Sequence, residues 1–397
     1  MVAKTALPSI PESIGEEQKR RAWALWESIG APKYHVAPMV DQSELPFRML
    51  CRRNGSTAAY TPMMHARLFA EDPKYRREFT TCEGDRPLFV QFCAHDPQHL
   101  VKAGRLVAPH SDYIDINFGC PQRIAKRGNY GAFLMDDLPL VYELVSELVK
   151  GVYPTPVSCK IRVFPKLEDT LNYARLIQSA GCSVLAVHGR LREQKDNSAT
   201  RADWDQIKAV KQALSIPVLA NGNIRHIQDA QACLDYTGCD GVLSAESLLV
   251  DPALFNPRRL EPEGGYTVLQ GCQLVQDYLR LCEQYPAPIR MVKGHVHKMV
   301  GPWLAEHVDI REAINTQSAQ LTIQDYIRHM DELVERVRSN GRAEPIPAIS
   351  QKALLRQAAE EARAAAIQEQ EREASALANL DAFERLDQVN SVETAAQ

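Results

Sequence analysis

Within this chain of 397 residues, the stretch at 112–132, DYIDINFGCPQRIAKRGNYGA, holds the densest set of side chains able to do chemistry. Tyr113, Ile114, Ile116 and Phe118 make an alternating apolar run that predicts a buried strand. Asn117, Gly119, Cys120 and Pro121 form its exit, so the strand delivers an amide and a thiol to one loop. Gly128 and Gly131 give that loop freedom, and Arg123, Lys126 and Arg127 give it positive charge. A thiol beside glycines that admit a flat ligand, and cations that attract an anion, describes a reaction centre. A buried cysteine in a tight turn accounts for the same residues with no chemistry at all.

Three further positions bear on that choice. Lys160, in SCKIRV, stands between Cys159 and Ile161 on a strand expected to be buried on both faces, with Arg162 at its exit. A lysine there must be paired or face a lumen, because an unpaired buried charge is costly. It could form a Schiff base or hold negative charge on an electron sink. His188, in VLAVHGR, suits an acid/base group, a hydrogen-bond donor or a metal ligand; the last is weakest, since no histidine or carboxylate stands at ligand spacing. Asn221-Gly222-Asn223 reads either as an ordinary Asn-Gly turn or as backbone N–H groups offered to a phosphate.

The elements that must position these groups recur in a strand–helix rhythm. Strand-like runs occupy 34–40, 56–61, 88–92, 113–117, 157–163, 183–188, 217–220 and 241–245, with helical patterns such as 138–150, 168–180, 204–214 and 227–236 between them. Eight such repeats are the count of a (β/α)8 TIM barrel within the α/β class. A doubly wound sheet is the second choice, and it lacks the expected G-x-G-x-x-G after the first strand. A barrel places function at the C-terminal strand ends. Those ends carry Pro38-Met39, Tyr60, Gln91, Asn117, Lys160, His188, Asn221–Asn223 and Ala245-Glu246, nearly all able to hydrogen-bond. The set suits flavin mononucleotide (FMN) across the mouth, with Gln91 and Asn117 on the ring edge and Lys160 balancing charge on the reduced ring.

Composition sets the remaining bounds. Net charge is −4; from residue 342 onward there are 6 basic and 10 acidic residues, so residues 1–340 balance. Charge alone thus neither favours nor excludes a nucleic-acid partner. Ten cysteines without a C-x-x-C pair fit a reduced compartment and no zinc ribbon. The first residues lack the apolar core of a signal peptide, and their glutamates argue against a mitochondrial presequence. No apolar run approaches the ~20 residues that span a bilayer. The expectation is a cytoplasmic protein, with the nucleus also open, and a monomer. Four regions are expected: a helical arm at 1–32, the barrel at 33–258, a helical domain at 259–340 and an acidic Ala/Glu/Gln-rich tail at 341–397. In the third, helices are predicted at 267–284, 289–304, 310–316 and 323–339. No acidic residue occurs from 284 to 305, where Arg290, Lys293, His297 and Lys298 recur at helical spacing. That face can follow a phosphate backbone, although a solvated helix surface is the commoner meaning. His295 and His297 fall on opposite helix faces, so no shared metal is expected.

In order along the chain, APMVDQSELPFR, the Gln91 strand, DINFGCPQRIAKRGNYGAFLM, SCKIRV, VHGRLREQ and LANGNI resemble the tRNA-dihydrouridine synthases, and most of all the eukaryotic branch that modifies uridines 16 and 17. The resemblance implies an FMN-bearing barrel, NADPH as reductant and a helical domain that grips tRNA. It implies Cys120 as proton donor, and Pro38, Met39, Val40, Gln91, Asn117, Lys160, His188, Asn221, Gly222, Asn223, Ala245 and Glu246 as flavin contacts. Arg123, Lys126, Arg127, Arg190, Arg192, Lys195, Arg290, Lys293 and Lys298 then read as a cationic track for the RNA. One departure stands out: many members carry a Gly-Arg pair at the phosphate on the last strand, where this chain has Ala245-Glu246-Ser247. Backbone N–H groups alone can reach the phosphate from there. Three other functions remain open: a flavin barrel reducing a small molecule, a Lys160 Schiff-base lyase, and a tRNA-binding protein without catalysis.

Overall fold

A computed structural model describes residues 11, 14–194, 200–260, 268–316, 321–340 and 362–363. Lys195, the expected linker at 261–265 and the tail at 341–397 apart from Ala362 and Arg363 lie outside the described residues. The chain divides into two units, Met1–Lys195 with Ala202–Ala348, and Asp196–Arg201 with Ile349–Gln397. The expected barrel, apart from 196–201, and the expected helical domain therefore fall in one compact unit.

That unit is built on nine strands: β1 (Tyr34–Val36), β2 (Ala58–Tyr60), β3 (Met64–His65), β4 (Leu88–Cys93), β5 (Tyr113–Phe118), β6 (Val157–Val163), β7 (Val184–Leu191), β8 (Val218–Asn221) and β9 (Gly241–Ser244). Eight close into a ring in the order β2-β1-β9-β8-β7-β6-β5-β4, with β4 pairing back onto β2. Every pairing is parallel. Parallel neighbours require crossover connections, and helices supply them. They are α2 (Leu45–Arg53), α3 (Ala66–Glu71), α4 (Pro73–Arg76), α5 (Pro97–Val107), α6 (Arg123–Gly128), α7 (Leu138–Val152), α8 (Leu167–Ser179), α9 (Trp204–Ala213), α10 (Ile227–Thr237) and α11 (Glu246–Val250). The architecture is a TIM barrel; β3 is a two-residue addition alongside β4.

An N-terminal helix, α1 (Glu16–Ser28), closes the bottom of the barrel. Trp26 is 1% exposed, while Trp23 and Gln18 donate to the carbonyls of Ser215 and Gln178, just before β8 and β7. Beyond the barrel come α12 (Val268–Gln284), α13 (Ile289–Met299), α14 (Gly301–Glu306), α15 (Val308–Thr316) and α16 (Ile323–Ser339). Prolines move two of the expected boundaries. The helix predicted at 289–304 is two helices, because Pro302 enters the first turn of α14 and cannot donate to the turn before it. The strand predicted at 34–40 stops at Val36; Ala37 N–H still reaches the Ser244 carbonyl, but Pro38 has no N–H to continue the ladder.

One buried carboxylate joins the barrel to these helices. Glu44, at the start of α2, accepts a hydrogen bond from Tyr278 of α12 at 2.7 Å and lies 3.0 Å from His295 Nε2 of α13. Phe47 stacks on the His295 ring at 4.3 Å. Burial opposes ionisation of Glu44, but the His295 charge and hydrogen bond, with the Tyr278 hydroxyl, hold its carboxyl below the usual range. Removing it strands two buried polar groups, so Glu44→Ala should lower the free energy of unfolding by about 3–5 kcal/mol in urea titration. The folded pKa lies below the unfolded one, so this stabilisation is present above the unfolded value and lost as pH falls through the folded one. The deficit of the variant should therefore shrink in acid.

Candidate active site

Parallel register stacks the lumen in layers. Tyr60, Phe89 and Tyr113 lie side by side on β2, β4 and β5. Their rings stack at 4.6 and 4.7 Å, with His35 and Trp26 beneath them. This is an aromatic floor. Tyr60, expected at the mouth, belongs to it. Two residues further along each strand the same face turns polar: Gln91, Asp115 and Ser158 pair across β4, β5 and β6. Two residues above stand Asn117 and Lys160, and above them Arg162 beside His188, which in turn faces Asn221.

Asp115 is fully buried and accepts from Gln91 Nε2 and Ser158 Oγ, each at 2.7 Å. Burial pushes its pKa up to about 6, against the pull of those two hydrogen bonds and of the Lys160 charge. Lys160 Nζ donates to Asn221 Oδ1 at 2.8 Å, and Asn221 Nδ2 donates to the Leu243 carbonyl. Burial, helped by the Arg162 charge, brings the Lys160 pKa down to about 8. The ammonium uses one of its three N–H bonds on a side-chain partner in this arrangement.

Cys120 sits where β5 runs out, half-buried, on a loop fixed from three sides. Asn117 Nδ2 donates to Gln91 Oε1 at 2.9 Å, and Asn117 Oδ1 accepts from the N–H groups of Gly119 and Cys120 at 3.1 and 2.8 Å. Arg162 Nε donates to the Gly119 carbonyl, while its Nη1 holds the carbonyls of Leu191 and Gln194. Arg162, read in the sequence as an exit residue, is instead a buried clamp across two loops. Gly131 (φ +66°) closes the third side: a Cβ there would lie 2.7 Å from the Cys120 carbonyl oxygen and 3.0 Å from Cys120 Cβ. Both its backbone conformation and its contact require glycine. Burial raises the thiol pKa, although a backbone hydrogen bond and the charges of Arg162 and Lys160 oppose that. The group is a thiol at neutral pH.

On the other side of the mouth, Arg190 Nη1 donates to His188 Nε2 at 2.9 Å and Nη2 to Asn223 Oδ1 at 3.1 Å. Burial and the charges of Lys160, Arg162 and Arg190 keep the imidazole neutral, well below its ordinary pKa. With Nε2 accepting, the ring proton is on Nδ1. Gly222 (φ +122°) runs so close that a Cβ would meet His188 Cδ2 at 3.3 Å and Ala202 Cβ at 2.4 Å. Asn223 is also left-handed (φ +61°). Arg190, expected on the cationic track that runs outward from the mouth, is 4% exposed. The reason is that β7 runs on to Leu191, three residues past its expected end, and alternation turns His188 and Arg190 to one face.

The other expected contacts divide. Met39 is half-buried on a turn closed by Ser43, whose Oγ accepts from Met39 N–H at 3.0 Å. Pro38 precedes it; Val40 is 59% exposed. Ala245 is half-buried and Glu246 exposed at the start of α11. Among the described residues, Arg123, Lys126 and Arg127 of α6 and Lys293 and Lys298 of α13 make no ion pair with a carboxylate. Arg192 pairs with Asp136 and Glu193, and Arg290 with Asp41 and Glu78. His295 and His297 point to separate partners, Glu44 and Asn315. Asp115 and Ser158 are the functional neighbours that sequence reading passed over. Their signal was the period-two run of polar residues, Asp115–Asn117 and Ser158–Lys160–Arg162, on strands otherwise apolar.

Comparison with known proteins adds an independent line. A model of the family described as dihydrouridine synthase (Dus) matches residues 35–330. A Rattus norvegicus protein named tRNA-dihydrouridine(16/17) synthase-like, with NAD(P)(+) in its name, is 45% identical over 75% of this chain and 66% of its own length. A Saccharomyces cerevisiae tRNA-dihydrouridine(16/17) synthase is 41% identical over 81% of this chain and 77% of its own. A Mus musculus protein named for positions 20a/20b is 40% identical over 62% of this chain and 76% of its own. The chain thus spans just under two thirds of the rat relative. The matched region contains all of the barrel but Tyr34 of β1, the Cys120 loop and most of the helices beyond, and on that ground the chain belongs to the dihydrouridine synthase family.

Proposed function

We propose that this protein reduces the C5=C6 bond of uridine in the D-loop of tRNA, at positions 16 and 17, to 5,6-dihydrouridine, with FMN as bound cofactor and NADPH as reductant. The observation that carries the reading is the Cys120 thiol, held at the mouth of a barrel whose upper layers carry Gln91, Asn117, Lys160 and His188. The names of the rat and yeast relatives support both the substrate and the nicotinamide.

The donor set fits a flavin. Gln91 and Asn117 present amide edges, Lys160 a cation with N–H bonds to offer, and His188 a neutral Nδ1–H donor. The left-handed Gly222-Asn223 turn and the first turn of α11 offer backbone N–H groups to a phosphate. Arg190 brings a guanidinium to that turn from β7, although β9 supplies none. FMN bound there and reduced by NADPH would supply hydride equivalents. The C4 carbonyl conjugates the uracil double bond, so hydride is taken up at C6 and a proton at C5. Cys120 holds that proton on Sγ. Asn117, Gly131 and Arg162 keep the thiol at the mouth. A base reaches so deep a site only after leaving its stack, and the unpaired cations on α6 and α13 suit the phosphates on either side of it. A small-molecule reductase would have no use for those cations.

Three outcomes are expected. Purified protein should show flavin absorbance, and Cys120→Ala should keep that band and its tRNA affinity while losing at least ~10²-fold in dihydrouridine formation, as removal of a general acid does. Undiminished turnover in that variant would show that the proton comes from elsewhere. Because burial raises the Cys120 pKa, its thiolate appears only at higher pH than that of a free thiol. Site-resolved alkylation by iodoacetamide should therefore lag behind free cysteine at pH 8, and activity should fall only as pH climbs past the ordinary thiol value. Finally, Lys293→Ala with Lys298→Ala should weaken tRNA binding and reduce the slope of log affinity against log salt by roughly one per lost phosphate contact.

A further inference from the structure

Asp115 touches none of the atoms that the reaction changes, yet the donor–acceptor pattern of the Cys120 loop starts from it. An ionised carboxylate only accepts hydrogen bonds. Gln91 must therefore turn its NH2 toward Asp115 Oδ2, which leaves Oε1 to accept. Asn117 in turn must offer Nδ2 to Gln91 Oε1, which leaves Oδ1 facing the N–H groups of Gly119 and Cys120. Each amide has two ways to lie, and one fixed acceptor at the far end selects the same way for both. Ser158 Oγ, donating to Asp115 Oδ1, fixes the carboxylate itself. Among the described residues, Asp115 is the one acceptor that Gln91 Nε2 meets. The Tyr60 and Tyr113 hydroxyls of the aromatic floor immediately below make no hydrogen bond to Gln91 among the described residues.

We propose that Asp115 is a positioning residue, whose carboxylate sets the direction of the chain Asp115–Gln91–Asn117 and so anchors the Cys120 backbone with its thiol at the mouth. The proposal rests on the reading of Cys120 as proton donor. The groups facing Asp115 are Gln91 on β4, Ser158 and Lys160 on β6 and Tyr60 on β2, and Lys160 is the one charge among them. Loss of the carboxylate therefore acts on two things, amide direction and the balance of the Lys160 charge, and an isosteric amide separates them. In Asp115→Asn the Oδ1 atom can still accept from Gln91 while Nδ2 donates to Ser158 Oγ, so direction survives and charge does not.

The test compares Asp115→Leu, Asp115→Ala and Asp115→Asn in the flavin-loaded full chain, with unmodified tRNA as substrate. Asp115→Leu should lose at least ~10-fold in kcat with KM for tRNA within about 2-fold of the parent, the pattern of a misplaced acid. Alkylation of Cys120 by iodoacetamide at pH 8, read by mass spectrometry, should accelerate several-fold as the loop loosens. Asp115→Ala, which leaves room for water, keeps the question answerable if the leucine variant does not fold, and should show the same pattern. Asp115→Asn should recover most of the kcat and the slow alkylation. Parent-like kcat and alkylation in the first two variants overturn the proposal. So does a loss in Asp115→Asn equal to that in Asp115→Ala, because charge and not direction would then carry the effect. The alkylation rates decide the anchoring by themselves, whether or not Cys120→Ala proves it to be the proton donor.

Discussion

Placing ionised groups inside a closed barrel is the constraint on which this molecule turns. Taking a carboxylate and an ammonium out of water costs several kcal/mol per ion after relaxation, and Asp115 and Lys160 stand within two layers of a buried aromatic floor. Mutual attraction alone would lower the acid and raise the base. The opposite is found: the Asp115 pKa rises to about 6 and that of Lys160 falls to about 8. Burial therefore outweighs attraction at both ends. Hydrogen bonds from Gln91 and Ser158, and to Asn221, make up part of the difference. Burial thus narrows, from both sides, the pH range in which the two groups are charged together. Lys160 is thus a cation close to losing its proton, and any anion arriving beside it stabilises the charge that burial disfavours. A site prepared in this way favours a ligand that gains negative charge during its work.

The barrel was legible because its rules are local. Strands buried on both faces read as apolar runs, helices between them as a 3.6-residue period, and the two repeat eight times in a row. What escaped had short or interrupted signals. Helices such as α3, α4 and α6 are too brief to show a period. The run at 289–304 kept its apolar spacing through Val300-Gly301-Pro302, so its pattern hid a break that only the missing proline N–H enforces. The first strand ended early for the same reason at Pro38.

The site was legible in its parts and not in its wiring. Polar residues at the C-terminal strand ends, Gln91, Asn117, Lys160, His188 and Asn221, could be picked out by type and position, and the structure brings them to one mouth. Arg190 was misplaced because three extra residues of β7 convert a loop cation into an inward-facing one. Arg162 was misread because its clamp depends on carbonyls from Gly119, Leu191 and Gln194, far apart in the chain. Asp115 was overlooked because the period-two polar run that it shares with Asn117 names no partner for it. Its meaning comes only from the register that sets Gln91 on one side and Ser158 on the other.

The turn after β1 connects this chemistry to the helices beyond the barrel. Its inner side carries Met39, closed by Ser43, while Asp41 and Glu44 on the same turn are gripped by Arg290, Tyr278 and His295. Arg290 is therefore occupied in holding the turn, whereas Lys293 and Lys298 of α13 have no carboxylate partner among the described residues. Lys298 is eight residues past Arg290, about 12 Å along the axis at 1.5 Å per residue. A helix pinned at its first turn by Arg290 and again at His295 cannot pivot without disturbing the turn that carries Met39. Lys293 and Lys298 are thereby held at a fixed reach from the Met39 turn, so the placement of the helix and the shape of the turn derive from the same few contacts.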